Sequence, residues 1–146
     1  MSTDRVSEHP RRLAIDAATA LRLVRELPDA GARVPLVGPA VLRSHVLALL
    51  WAEVRAGSLD ERTALAQLER LASLKVRLLG DRVSRATAWR VARDLGWDDP
   101  LAAEYLAVAV LQADALVADD ARLVAGATRL VPVVGFDALV AQASTG

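Results

Sequence analysis

No cysteine occurs anywhere in this chain of 146 residues. Disulfide bonds, thiolate zinc sites and cysteine nucleophiles are therefore excluded. Histidine is nearly as scarce, because His9 and His45 are the only two. A metal centre built on two histidines would require the N-terminal segment to fold back onto His45, and we do not expect one.

An excess of charge of either sign is also missing. Lys and Arg together number 18, Asp and Glu together number 18, and the formal net charge is zero. The chain thus lacks the overall basic excess typical of nucleic-acid-binding proteins, although a local basic patch remains open. Lys75 is the only lysine, so every other cation is an arginine.

Long apolar runs are absent as well. No run is long enough to span a bilayer. The opening stretch MSTDRVSEHPRR has charges but no apolar segment of the kind found in secretory signals. We therefore expect a soluble cytoplasmic protein with no membrane partner, and a flexible segment over residues 1–10.

What the sequence does have is apolar surface for a core, since hydrophobic residues make up 53% of it. One domain over residues 1–146 accounts for this length. Apolar stretches predict strands ending at Ile15 and Pro39, strands at 76–79 and 115–118, and a last strand in RLVPVV. Helical patterns separate them. This alternation predicts an α/β fold, a three-layer α/β/α domain with a mainly parallel twisted sheet.

Three details of the helical segments are specific enough to check. The segment 40–57 carries an apolar stripe formed by Val41, His45, Ala48, Leu49 and Ala52. The next helix begins with a pattern like a capping box, Ser58 followed by Glu61. Asp99 and Pro100 predict the N-cap and first residue of a later helix.

Acidic residues follow two of the predicted strands directly. Asp16 comes after LAI, and Asp119 and Asp120 come after ALVA. Ligands of α/β sheets bind beyond the carboxyl ends of the strands. Two interpretations stay open: these carboxylates share a magnesium or manganese ion, or they cap the helices that follow. Dinucleotide, P-loop and serine-hydrolase motifs do not occur.

Four stretches together resemble the PIN domain, in particular the VapC-type toxin ribonucleases of bacterial toxin–antitoxin pairs. They are LAIDAATALRLV, LVGPAVLRSHVLALLWAEVRAGSLD, VRLLGDRVSRATAWRVARDLGWDDPLAAEYLAVAVLQADALVADDARL and VPVVGFDAL. They cover residues 12–139. The resemblance implies a PIN-like fold, a Mg²⁺- or Mn²⁺-dependent endoribonuclease, an antitoxin partner and a homodimer.

The family's site has four acids, and this sequence keeps two of them. Asp16 matches the acid that ends the first strand, and Asp120 matches the acid in the last motif. His45 stands where the family has a glutamate, and Ala102 stands where it has an aspartate. Asp99 is the nearest replacement ligand. Because magnesium prefers oxygen ligands, this departure implies that metal binding is weak or absent.

Two functions therefore remain open. The first is a degenerate PIN protein that acts by binding a partner or RNA. The second is an active endoribonuclease with an altered site, in which Asp16 and Asp120 are catalytic, His45 assists, and Asp99 joins the two aspartates as a metal ligand. A second interpretation of His45 also stays open, because a lone histidine on an apolar stripe is more often a hydrogen-bonded core residue than a ligand. We expect the tryptophans to be packing residues and not platforms for base stacking; they are Trp51, Trp89 and Trp97. We also expect four residues to converge on one crevice, namely Asp16, His45, Ala102 and Asp120.

Overall fold

A five-stranded sheet forms the centre of the protein in the computed structural model, which describes residues 11–145. The expectation of a flexible segment over residues 1–10, like His9, lies outside the described residues. The strands are β1 Leu13–Ile15, β2 Leu36–Pro39, β3 Val76–Leu79, β4 Ala115–Val117 and β5 Val133–Val134. Their order is β3-β2-β1-β4-β5, and each of the four pairings is parallel.

Eight helices cover the two faces of this sheet within the described range. They are α1 Ala17–Glu26, α2 Ala30–Arg33, α3 Leu42–Arg55, α4 Glu61–Leu71, α5 Arg82–Leu95, α6 Ala103–Gln112, α7 Ala121–Ala127 and α8 Phe136–Thr145. Helices α1, α3 and α4 pack together, and α6 packs against α5, α7 and the central strands. Because parallel crossovers are right-handed in nearly all proteins, the strand order β3-β2-β1-β4-β5 puts these two groups on opposite faces of the sheet. The predicted three-layer α/β/α fold is confirmed.

The core lies between these layers. Strands β1, β2 and β4 are buried along their whole length, as expected for central strands of a parallel sheet. Edge strand β3 is only partly buried. Helix α6 is buried over residues 105–109, because it crosses the middle of the sheet. The short strands β1 and β4 are therefore held rigidly at the centre of the domain. The acidic residues that directly follow these two strands are held in place with them.

The predicted capping box at Ser58 is wrong. Helix α4 is capped by Asp60, whose side chain accepts a hydrogen bond from the Thr63 N–H at 3.1 Å. Ser58 instead helps to end α3, since its N–H donates to the Glu53 carbonyl. Gly57 makes this possible with a φ of +81°, the left-handed conformation that glycine adopts without strain.

Helix α6 begins at Ala103, three residues later than the Asp99-Pro100 pattern predicts. The Asp99 side chain accepts from the Leu101 N–H at 2.9 Å, which closes a tight turn before the helix. The first main-chain bonds also span three residues, since Tyr105 N–H donates to the Ala102 carbonyl. A turn of this type delays the regular α-helical ladder.

The apolar stripe predicted on α3 does not face the core. The helix buries Leu42, Val46 and Leu50 instead. Members of the predicted stripe are partly or fully exposed, because that side of α3 borders open space beside α1. The tryptophan expectation is likewise wrong for Trp51 and Trp89, which are 63% and 69% exposed.

Two smaller results complete the fold. The connection between α1 and β2, which contains Pro28, Gly31 and Pro35, includes the single-turn helix α2. No helix between residues 11 and 145 has the length and apolar character needed to cross a membrane.

Candidate functional site

The direction of the chain reverses between β1 and β4. From β1 it runs to β2 and β3 on one side, and then crosses to β4 and β5 on the other. Parallel sheets open a crevice at the carboxyl ends of the strands at such a point. Asp16 follows β1 there, and Asp119 and Asp120 follow β4.

Asp16 is only 3% exposed, and both of its carboxylate oxygens are engaged. Oδ1 accepts from the Thr19 N–H at 2.8 Å and thereby caps α1. Oδ2 accepts from the Asp119 N–H at 3.2 Å, with a longer contact of 3.5 Å from the Asp120 N–H. One side chain thus caps a helix and ties it to the end of β4.

Asp120 is exposed and caps the next helix. Its Oδ1 accepts from the Arg122 N–H at 2.8 Å and from the Leu123 N–H at 3.2 Å. The interpretation of both acids as helix caps is therefore confirmed. Among the described residues no hydrogen bond reaches Asp120 Oδ2, so this oxygen can still meet a ligand in the crevice.

His45 is held by Tyr105 across the crevice. The His45 Nδ1 atom lies 2.7 Å from the Tyr105 hydroxyl, and the two rings stack with centroids 5.6 Å apart. Burial, followed by the negative charges of Asp16 and Glu104, raises the pKa of the Tyr105 phenol well above its usual range. The hydroxyl therefore keeps its proton at neutral pH. His45 is therefore hydrogen-bonded, as expected, but it is only partly buried and lines the crevice, so its expected place in the core is wrong.

These groups border one cleft of about 330 Å³, called the switch-point cleft below. The residues that line it are Asp16, Ala17, Ala18, His45, Ala48, Leu49, Asp99, Leu101, Ala102, Tyr105, Asp120 and Leu123. The predicted convergence of Asp16, His45, Ala102 and Asp120 is confirmed, and Asp99 joins them. That any of them binds metal or takes part in catalysis stays a prediction.

Tyr105 was not identified from the sequence as a residue of the crevice. A signal was present, because Tyr105 is the only tyrosine of the chain and follows Ala102 by three residues, about one helical turn. Ala48 and Leu49 were placed on an apolar stripe, but their position beside the acids was not predicted.

The side chains present do not fit a closed divalent-metal site. Magnesium demands near-octahedral oxygen coordination at about 2.0–2.1 Å. Both Asp16 oxygens already accept main-chain hydrogen bonds, and Ala102 has no ligand atom. Within residues 11–145, no three histidine or acidic side chains come close enough together to hold one ion.

A second cleft of about 530 Å³, here called the α1–α3 trough, continues from the first and shares Ala18 and Leu49 with it. Its charged residues are paired with each other. Arg22 contacts Glu26 at 2.8 Å, and Arg25 contacts Glu53 at 2.9 Å. The two clefts together form a continuous, largely apolar groove with acids at one end.

No family model matches the chain, and no curated protein matches it. Among solved structures it is similar to the crystal structure of PAE2754 from Pyrobaculum aerophilum. The TM-score is 0.73 at 24% sequence identity, and the match covers 94% of this chain and 100% of that one. Such a likeness establishes the α/β fold that the two proteins share.

Proposed function

We propose that this protein is a degenerate PIN-like domain, similar to VapC-type toxin ribonucleases, that binds a protein partner in the switch-point cleft. In this proposal metal-dependent RNA cleavage is weak or lost. Four matching stretches of sequence support the resemblance, and the acids Asp16 and Asp120 keep its first and last acidic positions.

The state of the Asp16 carboxylate is the observation that carries the proposal. Each Asp16 oxygen already accepts a main-chain hydrogen bond, one that caps α1 and one that holds the end of β4. A carboxylate has about four lone-pair sites, so a metal ion would share the Asp16 oxygens with these donors and would find fewer lone pairs free. The structural role of Asp16 therefore limits what this carboxylate offers to a metal ion.

The replaced positions act in the same direction. Ala102 offers no ligand, and His45 brings a nitrogen that hydrogen-bonds to Tyr105 where the family has a carboxylate. Two carboxylates repel each other less than the four of the family pattern do, so a bound cation relieves less repulsion here. The acidic cluster is thus stable without a metal ion and attracts a metal ion less strongly.

The lining of the cleft suits a protein partner better than RNA. Asp16, Asp99 and Asp120 supply its formal charges, the rest is mostly alanine and leucine, and no Arg or Lys appears among the lining residues. Phosphate groups are repelled by such a surface. A cationic side chain flanked by apolar ones is complementary to it, which is the chemistry we propose for an antitoxin-like partner. A cytoplasmic location and a homodimer belong to the same proposal.

Co-expression with the products of the adjacent reading frames tests this proposal. We expect a complex that survives size-exclusion chromatography and is lost in Ala102→Trp, which fills the cleft. Ala66→Trp is the matched control, because Ala66 lies exposed on α4 away from the cleft. Absence of any complex, combined with manganese-dependent RNA cleavage by the wild type, contradicts the proposal.

The alternative is an active Mg²⁺- or Mn²⁺-dependent endoribonuclease with an altered site. One observation favours this alternative. Among the described residues no group donates a hydrogen bond to Asp120 Oδ2, and this oxygen lies in a cleft that Asp99 and His45 also line. Calorimetric titration with manganese separates the two proposals. Saturable binding at micromolar concentration that Asp120→Asn abolishes supports the enzyme.

A further inference from the structure

One face of α5 concentrates positive charge around an exposed tryptophan. Arg82, Arg85, Trp89 and Arg93 follow each other at intervals of three or four residues, which places them on one side of the helix. All four are exposed, and the Trp89 side chain is 69% exposed. Arg90 borders them. We call this set the α5 basic face.

The charge of this face is not neutralised by its own helix. Residues 82–93 contain four arginines and no acid. Asp81 precedes them and caps the helix at the Ser84 N–H, and Asp94 follows with an exposed contact of 3.3 Å to Arg93. Among the described residues, Arg82 and Arg85 form no ion pair. In a chain of zero net charge, this is a local basic patch.

Packing does not account for Trp89. The helix buries Ser84, Thr87, Ala88, Val91 and Ala92, a row of small side chains that lets it approach α6 closely. Trp89 lies on the opposite side of α5. A tryptophan can bury about 150–250 Å² against a partner, and here most of that surface faces solvent.

We propose that the α5 basic face binds single-stranded nucleic acid. The Trp89 indole provides a platform on which an unpaired base stacks, and the guanidinium groups of Arg85 and Arg93 hold phosphates on either side. These two arginines are eight residues apart, a distance of about 12 Å along the helix axis. Double-stranded nucleic acid is disfavoured because its bases already stack on each other.

This surface is separate from the switch-point cleft. The cleft is lined by residues of α1, α3, α6 and α7 and of the connections before them, and by none of α5. The inference therefore goes beyond the proposed partner binding. It also supplies the cationic surface for nucleic acid that the acidic cleft lacks.

Fluorescence anisotropy with a labelled oligouridylate of about eight nucleotides tests the inference. We expect Trp89→Ala to weaken binding about 5- to 150-fold, the range that corresponds to losing one base–aromatic stack. The matched control is Val83→Ala, which removes an apolar side chain that is 59% exposed on another side of the same helix. It should leave the affinity within a factor of about two of the wild type.

The arginines are tested through salt dependence. For single strands each neutralised phosphate contributes about 0.7 to the slope of log K against log salt, so the double variant Arg85→Ala/Arg93→Ala should lower the slope by about 1.4. The double variant Arg62→Ala/Arg70→Ala on α4 is the charge-matched control and should not change it. Both helices expose these residues, and circular dichroism verifies that all variants fold.

Three results overturn the inference. They are no binding by the wild type at low salt, equal binding by Trp89→Ala, and equal affinity for a duplex or for polyglutamate. The last result identifies a surface that recognises negative charge alone. Ala102→Trp should bind the oligonucleotide as the wild type does, so failure of the cleft proposal and failure of this one are distinguishable.

Discussion

Asp16 Oδ2 and the Asp119 main-chain N–H form a hydrogen bond of 3.2 Å between residues that are 103 positions apart in the sequence. The bond joins the carboxyl ends of the two strands on either side of the switch point. Since Asp16 Oδ1 also caps α1, this one carboxylate connects the start of α1 with the end of β4.

Replacing Asp16 should therefore destabilise the protein without metal. We expect Asp16→Ala to lower the free energy of unfolding by about 2–4 kcal/mol, because a helix cap and the acceptor of a partly buried N–H are both lost. Urea denaturation in the presence of chelator measures it. Asp119→Ala is the control and should change stability by less than about 0.5 kcal/mol, since the Asp119 side chain is exposed. Stabilisation by Asp16→Ala would instead indicate relief of repulsion in an unoccupied metal site.

The raised pKa of Tyr105 predicts how stability depends on alkaline pH. The phenol has its ordinary value of 10.0 in the unfolded chain and a higher value in the folded protein. Above pH 10 the unfolded state releases this proton while the folded state keeps it, so stability falls as the pH rises toward the folded pKa. At lower pH both states are protonated and the contribution is complete.

Because Tyr105 is the only tyrosine, its phenolate absorbance reports this ionisation directly. We expect the titration of the folded protein to begin well above that of the urea-unfolded protein. Tyr105→Phe should lose the extra alkaline decline in unfolding free energy. Superimposable titrations of folded and unfolded protein would show that the phenol is neither desolvated nor near negative charge.

The strands and most of the helices could be predicted from the sequence, because parallel strands such as LAI and ALVA are short apolar runs bounded by acids and turns. The place of Asp16 and Asp120 at one sheet edge followed from the same pattern. The side of α3 that meets the core could not be predicted in this way. Its two apolar stripes are nearly equal in the sequence, and tertiary packing selects Leu42 and Val46.

The hydrogen bonds of the Asp16 oxygens could not be predicted from the sequence either. The sequence left two roles for this carboxylate open, helix capping and metal binding. The donors are main-chain groups, Thr19 N–H and Asp119 N–H, and main-chain groups carry no side-chain signature. The α5 basic face was present in the sequence as spaced arginines. Its significance depends on Trp89 being exposed, which packing alone decides.

An exposed apolar surface between α3 and α4 is suited to the predicted homodimer. Leu47, Trp51 and Leu65 are 51%, 63% and 57% exposed beside a small cleft that they share with Leu68. We expect sedimentation velocity at micromolar concentration to show a dimer, which Leu65→Glu shifts to monomer. Ala66→Glu, an exposed neighbour, should not shift it. A wild type that stays monomeric well above this concentration contradicts the prediction.

If His45 and Ala102 are vacated catalytic positions, restoring their acids should rebuild a metal site. The double variant Ala102→Asp/His45→Glu restores the four-acid pattern with Asp16 and Asp120 in one cleft. Like charges at close range should lower stability in chelator by about 1–3 kcal/mol. Manganese should recover that loss, since a ligand that binds only the folded state stabilises it. Thermal denaturation with chelator and with manganese measures both effects.

The single variants separate the causes. His45→Glu also breaks the hydrogen bond to Tyr105, whereas Ala102→Asp adds a charge without removing a side-chain hydrogen bond. Metal-dependent cleavage of single-stranded RNA should appear only in the double variant and vanish on Asp120→Asn. Asp16 shares its oxygens with main-chain donors, so the rebuilt site should bind manganese more weakly than four free carboxylates would. If the double variant is neither less stable in chelator nor responsive to manganese, the two positions do not act on the same ion as Asp16 and Asp120, and the correspondence with the PIN motif is wrong.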